Sequence, residues 1–117
     1  MPLVRIDLDR ALLEQKSAIS DEVQQAFVDA LGVVENDRFQ IFHPHDPGEI
    51  VFDPTYNDVD RRSLILLQIT MVHMYSPEAK RRLFEEIVRR LETLGIRHED
   101  ILISGVEVGY EDWYAGR

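Results

Sequence analysis

Residues 63–108 read SLILLQITMVHMYSPEAKRRLFEEIVRRLETLGIRHEDILISGVEV, and the order of patterns within them decides the fold. The stretch 63–71 is apolar almost without interruption and rich in β-branched residues, which predicts a strand. Ser76 and Pro77 then supply a helix N-cap and a first helical residue. From there Leu83, Ile87, Leu91 and Leu94 recur at three- and four-residue intervals, Phe84 and Val88 widen the stripe, and Gly95 closes the helix. A second strand follows at 101–108. Strands joined through a helix pair in parallel, so the segment predicts a β-α-β unit.

Outward from this segment, the same order of features precedes it. PLVRIDL at 2–8 is a strand candidate, Leu12, Ile19, Val23, Ala26, Phe27 and Ala30 mark an amphipathic helix ending at Gly32, and RFQIF at 38–42 is another short strand. Even the joints match: LGVVENDRF set over LGIRHEDIL aligns Leu31, Gly32, Val33 and Asp37 with Leu94, Gly95, Ile96 and Asp100. The expectation is an α+β two-layer sandwich, a four-stranded mixed sheet with two helices on one face. One domain spans 1–117, its repeat units covering about 1–60 and 61–117. HPHDPGEIVFDPTYNDVDRR, residues 43–62, reads as the linker. The run 63–71 has the character of a strand buried on both faces. A chain of 117 residues has no material for a second covering layer, which predicts an oligomer that packs sheets together.

Composition narrows the function. Hydrophobic residues make up 44% and charged residues 30% with no low-complexity run, so the chain folds. The net charge of −9 argues against a nucleic-acid partner. The absence of cysteine excludes a disulfide framework and thiol catalysis. With no secretory signal and no apolar run of about eighteen residues, the expectation is a cytoplasmic protein with no membrane partner.

Pro2 heads the first strand. Proline tolerates that position because its missing N–H costs nothing there, and this is the bland account of it. The chemical account is that a small second residue permits removal of Met1, which turns Pro2 into a free secondary amine with an ordinary pKa of roughly 8. An apolar pocket or a nearby cation lowers that value and a carboxylate raises it. Neutral, the amine is a base for keto–enol exchange. Cationic, it is an acid that polarises a carbonyl or protonates a carbanion.

MPLVRIDL, the paired β-α-β halves, LGVVENDRFQIF, SPEAKRRLFEEIVRRLETLGI and EDILISGVEVGYEDWYAGR together resemble the tautomerase superfamily, over nearly the whole chain and in the right order. The long two-unit chain with its NDRFQ and EDW segments is most similar to the malonate semialdehyde decarboxylases and related tautomerase-like proteins. The resemblance implies a cofactor-independent homotrimer with Pro2 at the floor of an apolar pocket. It also implies that Asp37 is the carboxylate beside the proline and Trp113 an apolar wall. Asp37 has an alternative as a turn residue, since Asp100 recurs at the same joint. Trp113 has one as a pin between subunits. Arg38 is a candidate for substrate binding, although its place favours a surface or interface charge.

One departure matters. The related enzymes carry an arginine just before the second helix, where a guanidinium grips a substrate carboxylate with two hydrogen bonds. Here the stretch is VHMYSPEAK, with Tyr75 where the arginine would stand. His73 and Tyr75 share one face if the strand continues through them, and together could hydrogen-bond a carbonyl or weak acid. Arg10, Arg38, Arg61 and Arg62 are other sources of charge. The exchange disfavours decarboxylation and favours tautomerisation of a small oxo acid or enol. A non-catalytic trimeric binding module is the reading from another class, and retention of Met1 would favour it. HPHD places His43 and His45 on one side beside Asp46 but offers no clear further ligand, so no metal is assigned. The acid–base run in the second helix forms ordinary pairs on a solvated face.

Overall fold

In a computed structural model that describes residues 2–117, one four-stranded sheet carries two helices on a single face. Strand β1 covers Leu3–Asp9, β2 Gln40–His45, β3 Ile65–Val72 and β4 Ile101–Val108; the helices are α1, Lys16–Leu31, and α2, Pro77–Glu92. The order across the sheet is β2-β1-β3-β4. β1 and β2 are parallel, β3 and β4 are parallel, and β1 and β3 are antiparallel. The two β-α-β units therefore join back to back through their first strands.

Alternation along the strands sets the core. Val4, Ile6 and Leu8 of β1, with Ile65, Leu67, Ile69 and Met71 of β3, are buried beneath the helices. Ile19, Val23 and Phe27 from α1 and Leu83, Ile87 and Leu91 from α2 close over them. Burying a side chain of this size stabilises the fold by about 2–3 kcal/mol. α1 ends as the sequence requires, whereas α2 stops at Glu92 with Thr93 as its cap, so that Leu94 and Gly95 (φ 85°), expected to belong to and close the helix, lie in the turn that follows. Gly32 takes the left-handed conformation that side chains rarely adopt (φ 70°) and its N–H reaches Val28 O. At the start of α2, Ser76 Oγ accepts from Ala79 N at 3.1 Å ahead of Pro77.

Two further expectations need correction. Leu12 lies in a 3-10 turn, Arg10–Gln15, and α1 begins only at Lys16; Asp9 Oδ1 accepts from Ala11 N at 2.8 Å and tightens that turn. The second strand starts two residues later than RFQIF and runs on through His45, so HPH is strand rather than loop. Pro44 is tolerated because β2 is an edge: Val4 N donates to Phe39 O, so the odd-numbered residues of β2 address β1 and Pro44 turns its nitrogen outward. One face of β3 is left largely open, in keeping with a chain that has no second covering layer: Gln68 is exposed and Leu66 and Thr70 are half-covered, with Ile50, Val51 and Phe52 lining a pocket together with Leu66 and Leu102.

Candidate active site

The strand register gathers one set of residues at one end of the sheet. Pro2, buried, immediately precedes β1. Since Leu3 pairs with Thr70, the next residue of β3 beyond that pair, Met71, stands opposite Pro2, and the chain then continues through Val72 into the 73–76 turn. Val4 pairs with Gln40, which brings the turn before β2, and Asp37 with it, to the same end. β4 runs parallel to β3 and finishes there too, with His73 N donating to Val108 O at 2.8 Å.

The Asp37 turn is fixed from below. Gln24 on α1 is buried, and its Nε2 donates to Glu35 O at 3.1 Å and to Asp37 O at 2.9 Å. Asp37 N closes the turn on Val34 O at 2.9 Å. In the second unit Asp100 does local work. It is buried, and its Oδ1 accepts from Arg62 N at 2.8 Å, Ser63 N at 3.3 Å and Arg97 Nη1 at 3.2 Å.

Tyr75 packs against the core. Burial first, then the charges of Tyr110 and Asp37, push its phenol above the usual tyrosine value. Those last two causes place Tyr75 within electrostatic reach of both groups. Tyr110 belongs to the short turn after β4, held by Gly109 N on Asp112 Oδ2 at 2.8 Å, and its hydroxyl approaches Met74 Sδ at 3.8 Å. Trp113 follows, half-buried, with an indole nitrogen that is buried and has no acceptor among the described residues.

The other candidates fall elsewhere. β3 stops at Val72, so the alternation that would align His73 with Tyr75 is lost; His73 is exposed and its Nδ1 meets Glu107, which Lys80 also engages. Arg38 turns back to α1, donating to Asp21 Oδ1 at 2.7 Å and Ser20 Oγ at 3.0 Å. Arg10 pairs with Asp46 and Arg62 with Asp60. These two, with Arg61, flank the far ends of β1 and β3, a sheet's length of roughly 20 Å from Pro2. Within one chain they supply nothing to it. His43 accepts from Arg5 and His45 meets Asp7 Oδ1 at 2.7 Å, so both imidazoles are committed to β1. The removal of Met1 lies outside the described residues.

Tyr110 is the site residue that sequence reasoning missed. Its signal was the parallel pairing of β3 and β4, which forces the segment after Val108 to the end where Tyr75 stands. A groove of about 370 Å³ between α2 and β4 adjoins this end, lined by Met71, Lys80, Arg81, Phe84, Gly105 and Glu107 among others.

Similarity to known proteins bears on this end of the molecule. Two family models described as tautomerase enzyme match residues 37–116 and 2–58. The probable tautomerase YusQ of Bacillus subtilis (strain 168) is 32% identical over 121 residues, covering 99% of this chain and 94% of that protein. The probable tautomerase YrdN of the same organism is 30% identical, over 99% and 92%. Among solved structures, FG41 malonate semialdehyde decarboxylase inhibited by 3-bromopropiolate superposes with a TM-score of 0.91 at 32% identity, covering 98% of this chain and 89% of that one.

Proposed function

Since the chain belongs to the tautomerase family, we propose that it is a cofactor-independent enzyme in which Pro2, freed by removal of Met1, moves a proton between carbon and oxygen of a small oxo acid or enol. The observation that carries this reading is the burial of Pro2 at the end of the sheet where Asp37 and Tyr75 also converge. Burial disfavours the charged amine and suits a base at neutral pH, and a carboxylate nearby opposes that shift. The neutral amine takes a proton from the carbon next to the carbonyl and becomes a cation. The carbonyl oxygen gains the electron pair as an enolate, and the same proton returns to that oxygen. No net proton is consumed. Asp37 assists by orienting the amine or a water, and Trp113 forms the apolar wall.

The likeness to malonate semialdehyde decarboxylase favours a second reading, a decarboxylase or hydratase type of lyase. That chemistry needs a grip on a carboxylate, and Tyr75 offers a neutral phenol in place of a guanidinium. Assembly as a homotrimer is part of the proposal. It is supported by the open face of the sheet, where Ile41, Leu102 and Val106 are exposed, and by fused 4-OT proteins of the same fold that form symmetric trimers.

The test is the ketonisation of an enol, followed by loss of its absorbance, on protein whose intact mass shows Met1 removed. Pro2→Ala is expected to lower kcat by at least about 10²-fold with the sedimentation coefficient unchanged. Unchanged turnover removes Pro2 from the mechanism, and a chain that retains Met1 in its own host points to the non-catalytic module.

A further inference from the structure

We infer that contact between copies across the open face of the sheet is gated by a proton on His43, so that mild acid separates the chains. The inference rests on the assembly proposed above and adds its regulation.

Strand alternation and register place the switch. With Val4, Ile6 and Leu8 under the helices, Arg5 and Asp7 project from the other face, and their register partners Ile41 and His43, with His45 beyond, share it. Arg5 Nη2 donates to His43 Nε2 at 2.9 Å, and His45 Nε2 donates to Asp7 Oδ1 at 2.7 Å. These partners fix the two imidazoles in opposite senses. A guanidinium only donates, so His43 turns a bare Nε2 towards Arg5; a carboxylate only accepts, so His45 carries its hydrogen on Nε2. A further proton therefore has opposite effects on the two rings. On His45 it enters at Nδ1, leaves the hydrogen bond to Asp7 intact and makes an ion pair of it. On His43 it enters at the nitrogen that accepts from Arg5, abolishes that hydrogen bond and sets an imidazolium against a guanidinium.

The surroundings offer the new cation little. On β1, Asp7 is engaged by His45, and Asp9 Oδ1 takes Ala11 N. Beyond the end of β2, Asp46 is paired with Arg10, and Glu49 closes on Asp46 N. Along the paired length β3 turns Leu66, Gln68 and Thr70 to this face and β4 turns Leu102, Ser104 and Val106, all uncharged. In the 46–62 segment Asp53 and Arg61 line the pocket that includes Leu66 and Leu102, and their charges balance. In a separate chain water solvates the like-charged pair, since Arg5 is exposed and His43 half-buried. Between copies that water is excluded, and two adjacent cations held among apolar side chains are costly. Separated chains thus bind more protons than assembled ones. Acidification through the ordinary imidazole range, around pH 6.5, favours separation.

The test is sedimentation velocity of the full chain at about pH 7.5 and about pH 5.5, either side of the imidazole range, with far-UV circular dichroism to show that it stays folded. The wild-type protein is expected to pass from the assembly to the single chain, its association constant falling at least roughly tenfold. His43→Gln keeps an acceptor for Arg5 but takes up no proton, and is expected to stay assembled at both. His45→Gln, which keeps a donor for Asp7, is expected to respond to acid as the wild type does. An assembled wild-type protein indifferent to pH overturns the inference, and so does an equal response in His43→Gln. Single chains at both pH values refute the assembly itself, and the inference falls with it. The wild-type protein also supplies a measurement that needs no variant to fold. Long-range proton–nitrogen NMR spectra at about pH 7.5 are expected to show His43 with a bare Nε2, and a hydrogen on that nitrogen overturns the pairing.

Discussion

Gln24 shows how a single buried polar side chain sets up a site it never touches. Its amide nitrogen takes two carbonyls of the turn that carries Asp37, so the turn is pinned to α1 rather than left to its own hydrogen bonds. Gln24→Leu strands both carbonyls and is expected to cost about 1–3 kcal/mol, read as a lower denaturation midpoint at unchanged slope, and to depress kcat more than KM. Loss of stability with kinetics intact would mean that the position of Asp37 is immaterial to turnover. Tyr75 gives a second prediction. Its phenol is raised first by burial and then by Tyr110 and Asp37. In the unfolded chain it ionises near pH 10, and in the folded chain later. Its contribution to stability is therefore whole below about pH 10 and is lost as pH rises through the folded value. Among the four tyrosines, Tyr75→Phe is expected to remove the last step of a spectrophotometric tyrosinate titration; disappearance of an earlier step would contradict this.

At the scale of elements, α1 and α2 are joined by more than their apolar stripes. Arg90 on α2 donates to Glu22 at 2.8 Å and Asp29 at 2.6 Å on α1, and to Glu86 at 2.8 Å on its own helix, with its side chain only 18% exposed. Arg90 lies between an exposed pair and a buried one, and Arg90→Met is expected to cost about 1–3 kcal/mol. Arg89 and then Arg90 hold Glu86 below the usual carboxylate range. That contribution is present above the unfolded value near 4 and is lost as pH falls through the depressed folded value. Stability measured against pH should fall less steeply on the acid side in the variant than in the wild type, and identical acid limbs would place the interaction elsewhere. The elements themselves were readable in advance where one signal dominated. Ser76, Pro77 and the Leu83–Ile87–Leu91 stripe fixed α2, and Ile101, Ile103, Val106 and Val108 marked β4. β2 was harder, because proline in HPH reads as a break unless the strand is known to be an edge. The site was readable in part for the same reason. Pro2 and Asp37 follow from the repeat and the resemblance; Tyr110 needed one further step, since the parallel pairing of β3 and β4 carries the segment after Val108 to the end of β3 where Tyr75 stands, while the antiparallel pairing of β1 and β3 that brings Pro2 to that end has no local signal. His73 was misplaced relative to Tyr75 because the strand ends one residue before it.

For the whole molecule the unpaired face of the sheet is the dominant fact. Leu102 and Val106, each 37% exposed, stand on it beside the polar row of Arg5, Gln68 and Ser104. If copies of the chain cover this face, Leu102→Asp places an unpaired carboxylate in the contact and is expected to reduce the sedimentation coefficient towards that of a single chain. An unchanged assembly would shift the contact to the sheet edges or the helices. The two halves also point in opposite directions, because β1 and β3 are antiparallel. Their matching joints thus lie at opposite ends: Asp37 beside the start of the chain, Asp100 beside the amides of Arg62 and Ser63. If Asp37 holds the Pro2 amine as proposed, the molecule has two sockets of one design, and its own peptide bond plugs the second. A chain opened between Arg62 and Ser63 would hand Asp100 a new amino group, turning a structural clamp into a copy of the first socket.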